Sequence, residues 1–270
     1  MEGMFEGIVL GIIQGVTEWL PISSEGILVL VKTNFFSQGE SARAMIEFAF
    51  FLHLGTFAAA LLYLRKDVLL LAKALFAFHK ANPETKKIFR FLFVSTLLTG
   101  IIGFFVLEGF IRAVDAQSLN ITEILTFGIG ILLLGTAFVQ IKAKKGGVKV
   151  KSAKDLNDGD GVLLGVLQGF SALPGLSRSG LTVSALLLRK FDDETALRLS
   201  FLMSLPAVLG ANILFHNTAL AFTPTALWGV LFSFFFGLLA IHVLLTLARK
   251  FNFGYFVLLF AFFTILSAFV

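Results

Sequence analysis

The sequence predicts an all-α polytopic membrane protein, an inverted-topology repeat of six spanning helices and two re-entrant helix-loop-helix units. Three observations lead there. Of the 270 residues, 57% are hydrophobic and only 14% charged, where a soluble domain carries about 25% charge; a water-soluble globule of this size cannot hide that much apolar surface. Apolar runs of about 20 residues, the length that crosses a hydrocarbon core about 30 Å thick, recur from end to end. Two further apolar stretches, 5 to 31 and 161 to 190, are broken by Gly, Pro and Ser and repeat one another. A secreted, nuclear or cytosolic enzyme is excluded. The absence of Cys removes disulfides, thiolate metal sites and thiol nucleophiles, and four scattered His residues do not make a multi-His metal centre. Any catalysis falls to carboxylate, hydroxyl and cationic side chains. The net charge of +5 sits in Lys- and Arg-bearing loops between apolar runs, as orientation signals do, so nucleic acid is not expected as a partner.

In chain order, the broken stretch 5 to 31 comes first, followed by an expected span over 46 to 64. The basic run Arg65, Lys66, Lys73, Lys80, Lys86, Lys87 and Arg90 follows and is cytoplasmic by the positive-inside rule. Within it, 68 to 79 is too short and too Lys-bearing to span and reads as an interfacial helix. Spans over 88 to 107 and 119 to 141 lead to a second cytoplasmic loop, with Lys142, Lys144, Lys145, Lys149, Lys151 and Lys154. After the second broken stretch come spans over 195 to 215, 225 to 248 and 252 to 270. The loops 108 to 118 and 216 to 224 hold one basic residue, Arg112, and are external.

Segment 161 to 190 starts and ends on the cytoplasmic side, and thirty residues are too few for two crossings at about 20 each. It therefore dips in and returns, which is tolerable only where protein or a wet cavity satisfies its backbone. The run Gly11-Ile12-Ile13-Gln14-Gly15 to Gly26 matches Gly165-Val166-Leu167-Gln168-Gly169 to Gly180 at an offset of 154 residues, with Pro21 and Pro174 offset by 153. Each half, 1 to 150 and 151 to 270, is then one re-entrant unit and three spans. Three is odd, so the halves are inverted, both termini are external, and the two tips meet near the midplane.

The first tip places Gln14 and Glu18 four residues apart, on one helix face, followed by Pro21 and the hydroxyls of Ser23 and Ser24. The second reads Pro174-Gly175-Leu176-Ser177-Arg178-Ser179-Gly180, with Thr182 beyond. A carboxylate and a guanidinium in apolar surroundings are costly unless paired or used. One reading is a structural Glu18 to Arg178 ion pair that ties the halves together. The other is chemical. Gly and Ser at a helix start offer N–H and hydroxyl donors, and an Arg fork there suits phosphate, so the second tip reads as an anion cradle. One of the opposing hydroxyls could attack phosphorus if Glu18 took its proton.

At these residues the sequence resembles the undecaprenyl-diphosphate phosphatase family, the bacitracin-resistance phosphatases. The first family signature, an E/Q-x-x-x-E helix entering Pro-x-Ser-Ser-x-Gly, is matched by Gln14, Glu18, Pro21, Ser23, Ser24 and Gly26; the second, P-G-x-S-R-S-G-x-T, by Pro174 to Thr182. His53-Leu54-Gly55-Thr56, Arg65-Lys66-Asp67, Gly159-Asp160 and Phe201 to Ala207 look like further family blocks, and the similarity runs from about residue 7 to 215. The resemblance implies hydrolysis of a polyprenyl diphosphate to the monophosphate and inorganic phosphate, in a site open to the external face of the cell membrane. It also implies a stimulating divalent cation, magnesium or calcium. Arg178 would hold the phosphates with Gly175, Ser177, Ser179, Gly180 and Thr182 around it. Glu18 and Gln14 would place the metal or activate the nucleophile, for which Ser24 leads and Ser23 stands beside it. The bilayer and the lipid diphosphate are the expected partners, and a homodimer is left open.

One departure matters. The family motif ends in Ser-Gly-His, whereas this chain has Glu25-Gly26-Ile27. The Ser-Ser-Glu-Gly variant resembles archaeal members and implies a dolichyl-type carrier. Glu25 or His53 is expected to supply the lost proton transfer or metal contact, although His53 in an apolar span reads equally as a helix-packing residue. Glu47 is expected to be interfacial, Asp192, Asp193 and Glu194 to cap a helix, and the Phe residues around Phe232 to Phe236 to face lipid or pack. Gly128 to Gly135 is expected to permit close helix approach, and Gln168 to keep the fold without the carboxylate that Ala172 replaces. The rival classes are a transporter or flippase for a phosphorylated isoprenoid lipid, since inverted repeats with broken helices are common in transporters, and a protein that binds the lipid without cleaving it.

Overall fold

The computed structural model describes residues 2–20, 22–36, 41–115, 121–144, 151–215, 223–247 and 253–267. Among them the regular structure is helical: α1 (Glu2–Thr17), α2 (Ser24–Phe35), α3 (Ala42–Tyr63), α4 (Arg65–Phe76), α5 (Pro83–Asp115), α6 (Ile121–Lys144), α7 (Asp158–Phe170), α8 (Arg178–Leu188), α9 (Asp193–Leu214), α10 (Pro224–Leu247) and α11 (Phe253–Ser267). Four stretches are long and apolar enough to cross a membrane, Arg43–Tyr63, Pro83–Ala113, Asp193–Leu214 and Pro224–Leu244, and they fall on four expected spans. The expected spans 119 to 141 and 252 to 270 coincide with α6 and α11, whose apolar described parts, Phe127–Ala143 and Val257–Leu266, are shorter. This is a multi-pass helical membrane protein. Pro21, residues 145–150 and most of the loop 216 to 224 lie outside the described residues.

The broken stretches resolve into helix pairs. At a rise of about 1.5 Å per residue, the 16, 12, 13 and 11 residues of α1, α2, α7 and α8 are each shorter than the hydrocarbon core. In each pair a serine restarts the helix: Ser23 Oγ accepts from Gly26 N (3.1 Å) and Ser177 Oγ from Gly180 N (3.1 Å). The side-chain oxygen thereby satisfies one of the donors that a helix start leaves bare.

Small residues seat these short helices. On α1, a Cβ at Gly7 would lie 2.2 Å from Thr225 O, and one at Gly11 2.4 Å from Gly229 O, both on α10. On α7, a Cβ at Gly165 would lie 2.8 Å from Ser95 O, and one at Gly169 2.7 Å from Ile102 Cβ, both on α5. Gly→Leu at position 11 or 165 is therefore expected to lower the thermal midpoint in detergent by an overpacking cost of about 1–3 kcal/mol or more. Gly109→Leu, whose Cβ meets nothing within 4 Å, should leave the midpoint within experimental error. Of the glycines expected to bring α6 close to a neighbour, Gly130 does so, with Ile265 Cγ1 at 2.5 Å. Gly128 and Gly135 do not, because nothing stands within 4 Å of either.

Charged groups lock the ends that carry the basic segments. Arg198 of α9 clasps both carboxylate oxygens of Asp67 on α4. The segment expected as an interfacial helix over 68 to 79 forms α4, which ends at Phe76, with Leu69, Leu75 and Phe76 exposed on the same helix as Lys66 and Lys73. Fully buried Asp160 accepts from Asn157 N (3.0 Å) and from Arg189 Nε (2.8 Å), and Asp192 caps α9 by accepting from Thr195 N (2.8 Å). At this same end the largest buried cluster packs Leu64, Phe91, Phe191, Phe201 and Leu244 with Trp19. A smaller one, Ile46, Phe50, Leu107 and Ile111, lies toward the opposite end. The two helix breaks sit between them.

Candidate active site

The two breaks touch. Gly175 N donates to Ser23 Oγ (2.9 Å), and Ser179 Oγ donates to Leu20 O (2.9 Å). Gly175 adopts φ +104, a conformation suited to glycine, and a Cβ there would lie 2.9 Å from Ile129 O. Ser23 Oγ thus accepts two backbone N–H groups, one from each tip. That engagement makes Ser23 a clasp between the tips, while Ser24 Oγ donates to Glu18.

Glu18, buried in the turn after α1, is the hub. Its Oε1 accepts from Arg178 of the second tip. Its Oε2 accepts from Ser24 Oγ (2.8 Å) and Gln14 Nε2 (3.0 Å), and His53 Nε2 of α3 lies at 3.0 Å. His53 Nδ1 donates to Ala49 O (2.7 Å), so both ring nitrogens face acceptors, the arrangement of an imidazole that donates from each. Glu25, at the start of α2, points its Oε1 to within 3.8 Å of His53 Nε2. The histidine that reads equally as packing or chemistry from sequence is at the centre of the cluster.

Arg178 begins α8, where Nη1 also donates to Ser200 O (3.3 Å) and the guanidinium lies 5.7 Å from the Trp19 ring. Ser177 Oγ and Ser179 Oγ are 3.3 Å apart beside it. The expected cradle is narrower than the motif suggests. The N–H groups of Gly175 and Gly180 are taken by Ser23 and Ser177, and Thr182 Oγ1 is spent on Arg178 O (2.8 Å) and Ser200 Oγ (2.7 Å), in a fully buried position. Gly175, Gly180 and Thr182 thus have partners within the tips. Arg178, Ser177 and Ser179 remain beside the opening.

That opening is a crevice enclosing about 1030 Å³ of empty space with its mouth included, with Glu18, Ser24, Glu25, His53, Arg178 and Ser177 at its inner end. Its walls continue along α5 and α9 to Leu107 and Phe215. Among the wall residues that the sequence reading does not place in the site are Gln168 and Thr99. Gln168, the repeat counterpart of Gln14, lines the crevice with Nε2 on Thr99 Oγ1 (3.1 Å) and with Oε1 lacking a partner among the described residues. Thr99 itself sits in what reads as an ordinary apolar span. The 154-residue offset was the one signal for Gln168; nothing signals Thr99.

The donor set also decides whether a divalent cation fits. Both oxygens of Glu18 already face donors, two of them on Arg178 and His53. Glu18, His53 and Glu25 come together, but among the described residues no group of three His, Asp or Glu side chains is placed to hold a metal ion. Gln14 Oε1 is buried without a partner, but one amide oxygen is far from the six or so oxygens that magnesium or calcium takes. These residues do not fit an ion held by the protein alone.

A family model described as bacitracin resistance protein BacA matches residues 7–266. A protein named undecaprenyl-diphosphatase from Methanococcoides burtonii is 41% identical, over 95% of this chain and 95% of its own. Another of that name from Saccharolobus islandicus is 34% identical, over 92% of this chain and 90% of its own. A third, from Syntrophotalea carbinolica, is 35% identical, over 90% of this chain and 89% of its own.

Proposed function

The chain belongs to the bacitracin resistance protein BacA family, and we propose that it is an integral membrane phosphatase that hydrolyses a polyprenyl diphosphate to the monophosphate and inorganic phosphate. The relatives' name, undecaprenyl-diphosphatase, specifies undecaprenyl. The product would be the lipid monophosphate carrier on which envelope or glycan precursors are assembled. One observation carries the chemistry: Ser24 and Arg178, from opposite tips, meet on the two oxygens of Glu18 at the inner end of an open crevice.

In this reading the resting ion pair is exchanged when substrate binds. The diphosphate draws Arg178 away from Glu18, with Ser177 and Ser179 alongside. That exchange frees Glu18 Oε1 and makes the carboxylate a better base, because a neighbouring cation is what holds a carboxylate ionised. Glu18 takes the Ser24 proton as Oγ attacks the terminal phosphorus. The Oγ–P bond forms, the bridging P–O bond breaks, and the lipid monophosphate leaves with the electron pair. The departing monophosphate takes the proton from Glu18, which then accepts a proton from the water that attacks the Ser24 ester and passes it to Ser24 Oγ as the P–Oγ bond breaks, releasing inorganic phosphate. His53 and Glu25 handle the proton that the residue at position 27, here Ile, cannot. A divalent cation would arrive bound to the diphosphate, and no step runs through it.

The finer architecture is proposed on the same footing. Each half, 1 to 150 and 151 to 270, holds one re-entrant pair, and the halves are inverted. Glycines 7, 11 and 15 on α1 recur at 161, 165 and 169 on α7, and each trio faces a spanning helix of the other half. The crevice runs toward the ends of α5 and α9 remote from the basic segments, which supports a site open to the external side. Nothing among the described residues or the relatives favours the transporter reading.

The test is phosphate release by purified protein from a long-chain polyprenyl diphosphate. Release is expected from the parent protein, and none would refute the reading. His53→Ala is expected to reduce release by about 10²-fold, within the range for a proton-handling group, and Glu25→Gln by a smaller factor. If both retain full turnover, neither handles the proton.

A further inference from the structure

We propose that the hydrocarbon tail of the substrate leaves the site sideways through a slot between α5 and α9, and that Gly100 and Gly210 set its width. This deepens the reading above and rests on it. The crevice is amphiphilic along its length. Its inner end carries the charged and hydroxyl groups, whereas its outer walls are Gly100, Gly103 and Phe104 of α5 and Ala207, Gly210 and Ala211 of α9. A lipid diphosphate has that same distribution. The headgroup must reach Ser24 and Arg178, and the tail then has one continuous empty space to occupy.

The wall residues recur at helical spacing, Thr96, Gly100, Gly103 and Leu107 on α5 and Ala207, Gly210 and Leu214 on α9, so each helix turns one narrow face to the slot. From Thr96 to Leu107 the face runs about 16 Å along the axis. Most glycines on α1 and α7 are crowded, with a neighbour inside 3 Å of a built Cβ, yet at Gly100 and Gly210 nothing among the described residues stands within 4 Å. Their smallness therefore does not serve helix contact; it leaves room. The slot also reaches lipid: Gly100 is itself exposed between Leu97 (55%) and Ile101 (50%), and on α9 Leu209 and Ile213 are exposed beside Gly210. Pro206, which also lines the crevice, removes one helical hydrogen bond from α9 at the slot's inner end.

The experiment compares hydrolysis of a long-chain polyprenyl diphosphate with that of five-carbon isopentenyl diphosphate, whose tail is too short to fill the slot. Gly100→Leu and Gly210→Leu are expected to lower the long-to-short ratio of kcat/KM at least tenfold, mostly through KM. Gly109→Leu, an open glycine on α5 away from the crevice, should leave the ratio unchanged. An unchanged ratio in both slot variants overturns the proposal. Because a leucine variant can fail to fold, single cysteines at the same places, Gly100→Cys and Gly210→Cys, give a second readout in a chain without native Cys. Labelling by a membrane-soluble maleimide should be blocked by long-chain polyprenyl monophosphate and not by isopentenyl monophosphate. Labelling blocked by neither overturns the slot. A parent protein that cleaves neither diphosphate would instead refute the reaction itself, while labelling still reports where the tail lies.

Discussion

Ser24→Ala is expected to abolish phosphate release, a fall of at least about 10³-fold for loss of an activated nucleophile, with the protein still folded. Ser24 Oγ donates to Glu18 Oε2, and losing that bond leaves Glu18 with three partners. Ser23→Ala should behave in the opposite way. Its oxygen receives Gly26 N and Gly175 N, so the alanine strands two buried donors and separates the tips, at about 2 kcal/mol or more of stability. Its turnover, measured on the folded fraction well below the thermal midpoint, should remain within about tenfold of the parent protein. Adjacent serines then separate in two assays: size-exclusion and thermal profiles shift for position 23, and phosphate release collapses for position 24. Equal turnover in the two variants would show that water, not Ser24, attacks phosphorus.

Glu18→Gln should be severe in both assays. The amide keeps the shape of the carboxylate but leaves Arg178 and His53 facing a neutral group, and breaking a buried ion pair from one side costs about 3–5 kcal/mol. It also removes the base, for which about 10²–10⁴-fold is the usual loss. A lowered thermal midpoint together with near-complete loss of phosphate release is the expected result. Loss of stability with turnover intact would reduce Glu18 to the structural tie that the sequence also allows.

How far the sequence carries depends on what kind of force acts at each place. The short helix pairs are legible because Gly, Ser and Pro interrupt apolar runs where a bilayer would otherwise demand unbroken hydrogen bonding, and α4 because lysines punctuate its leucines. Glu18 and Arg178 are legible because charges within apolar runs need a partner. Ser24 leads over Ser23 only through the family resemblance; the residues alone do not separate them, since they differ only in which way each oxygen points after the helix restarts. His53 is undecidable for a similar reason: its ring reaches Glu18 only because α3 packs against α1 and α2. The cradle at Gly175 and Gly180 reads as free N–H donors until the serine caps are seen to consume them. The slot leaves no trace in a pattern of apolar residues, because a glycine that makes room and a glycine that permits contact look alike there; Gly100 and Gly165 differ only in what stands beside them.

The central claim is that the two tips form one site around the Glu18 to Arg178 contact, and a double-mutant cycle on phosphate release tests it most directly. Rates for the parent protein, Glu18→Gln, Arg178→Ala and the double variant would be measured with one long-chain polyprenyl diphosphate. The account predicts that each single change removes nearly all turnover and that the double variant is no slower than the worse single one, as for residues that act as a unit. Single variants that multiply independently in the double, or an Arg178→Ala protein that keeps its turnover, would contradict it.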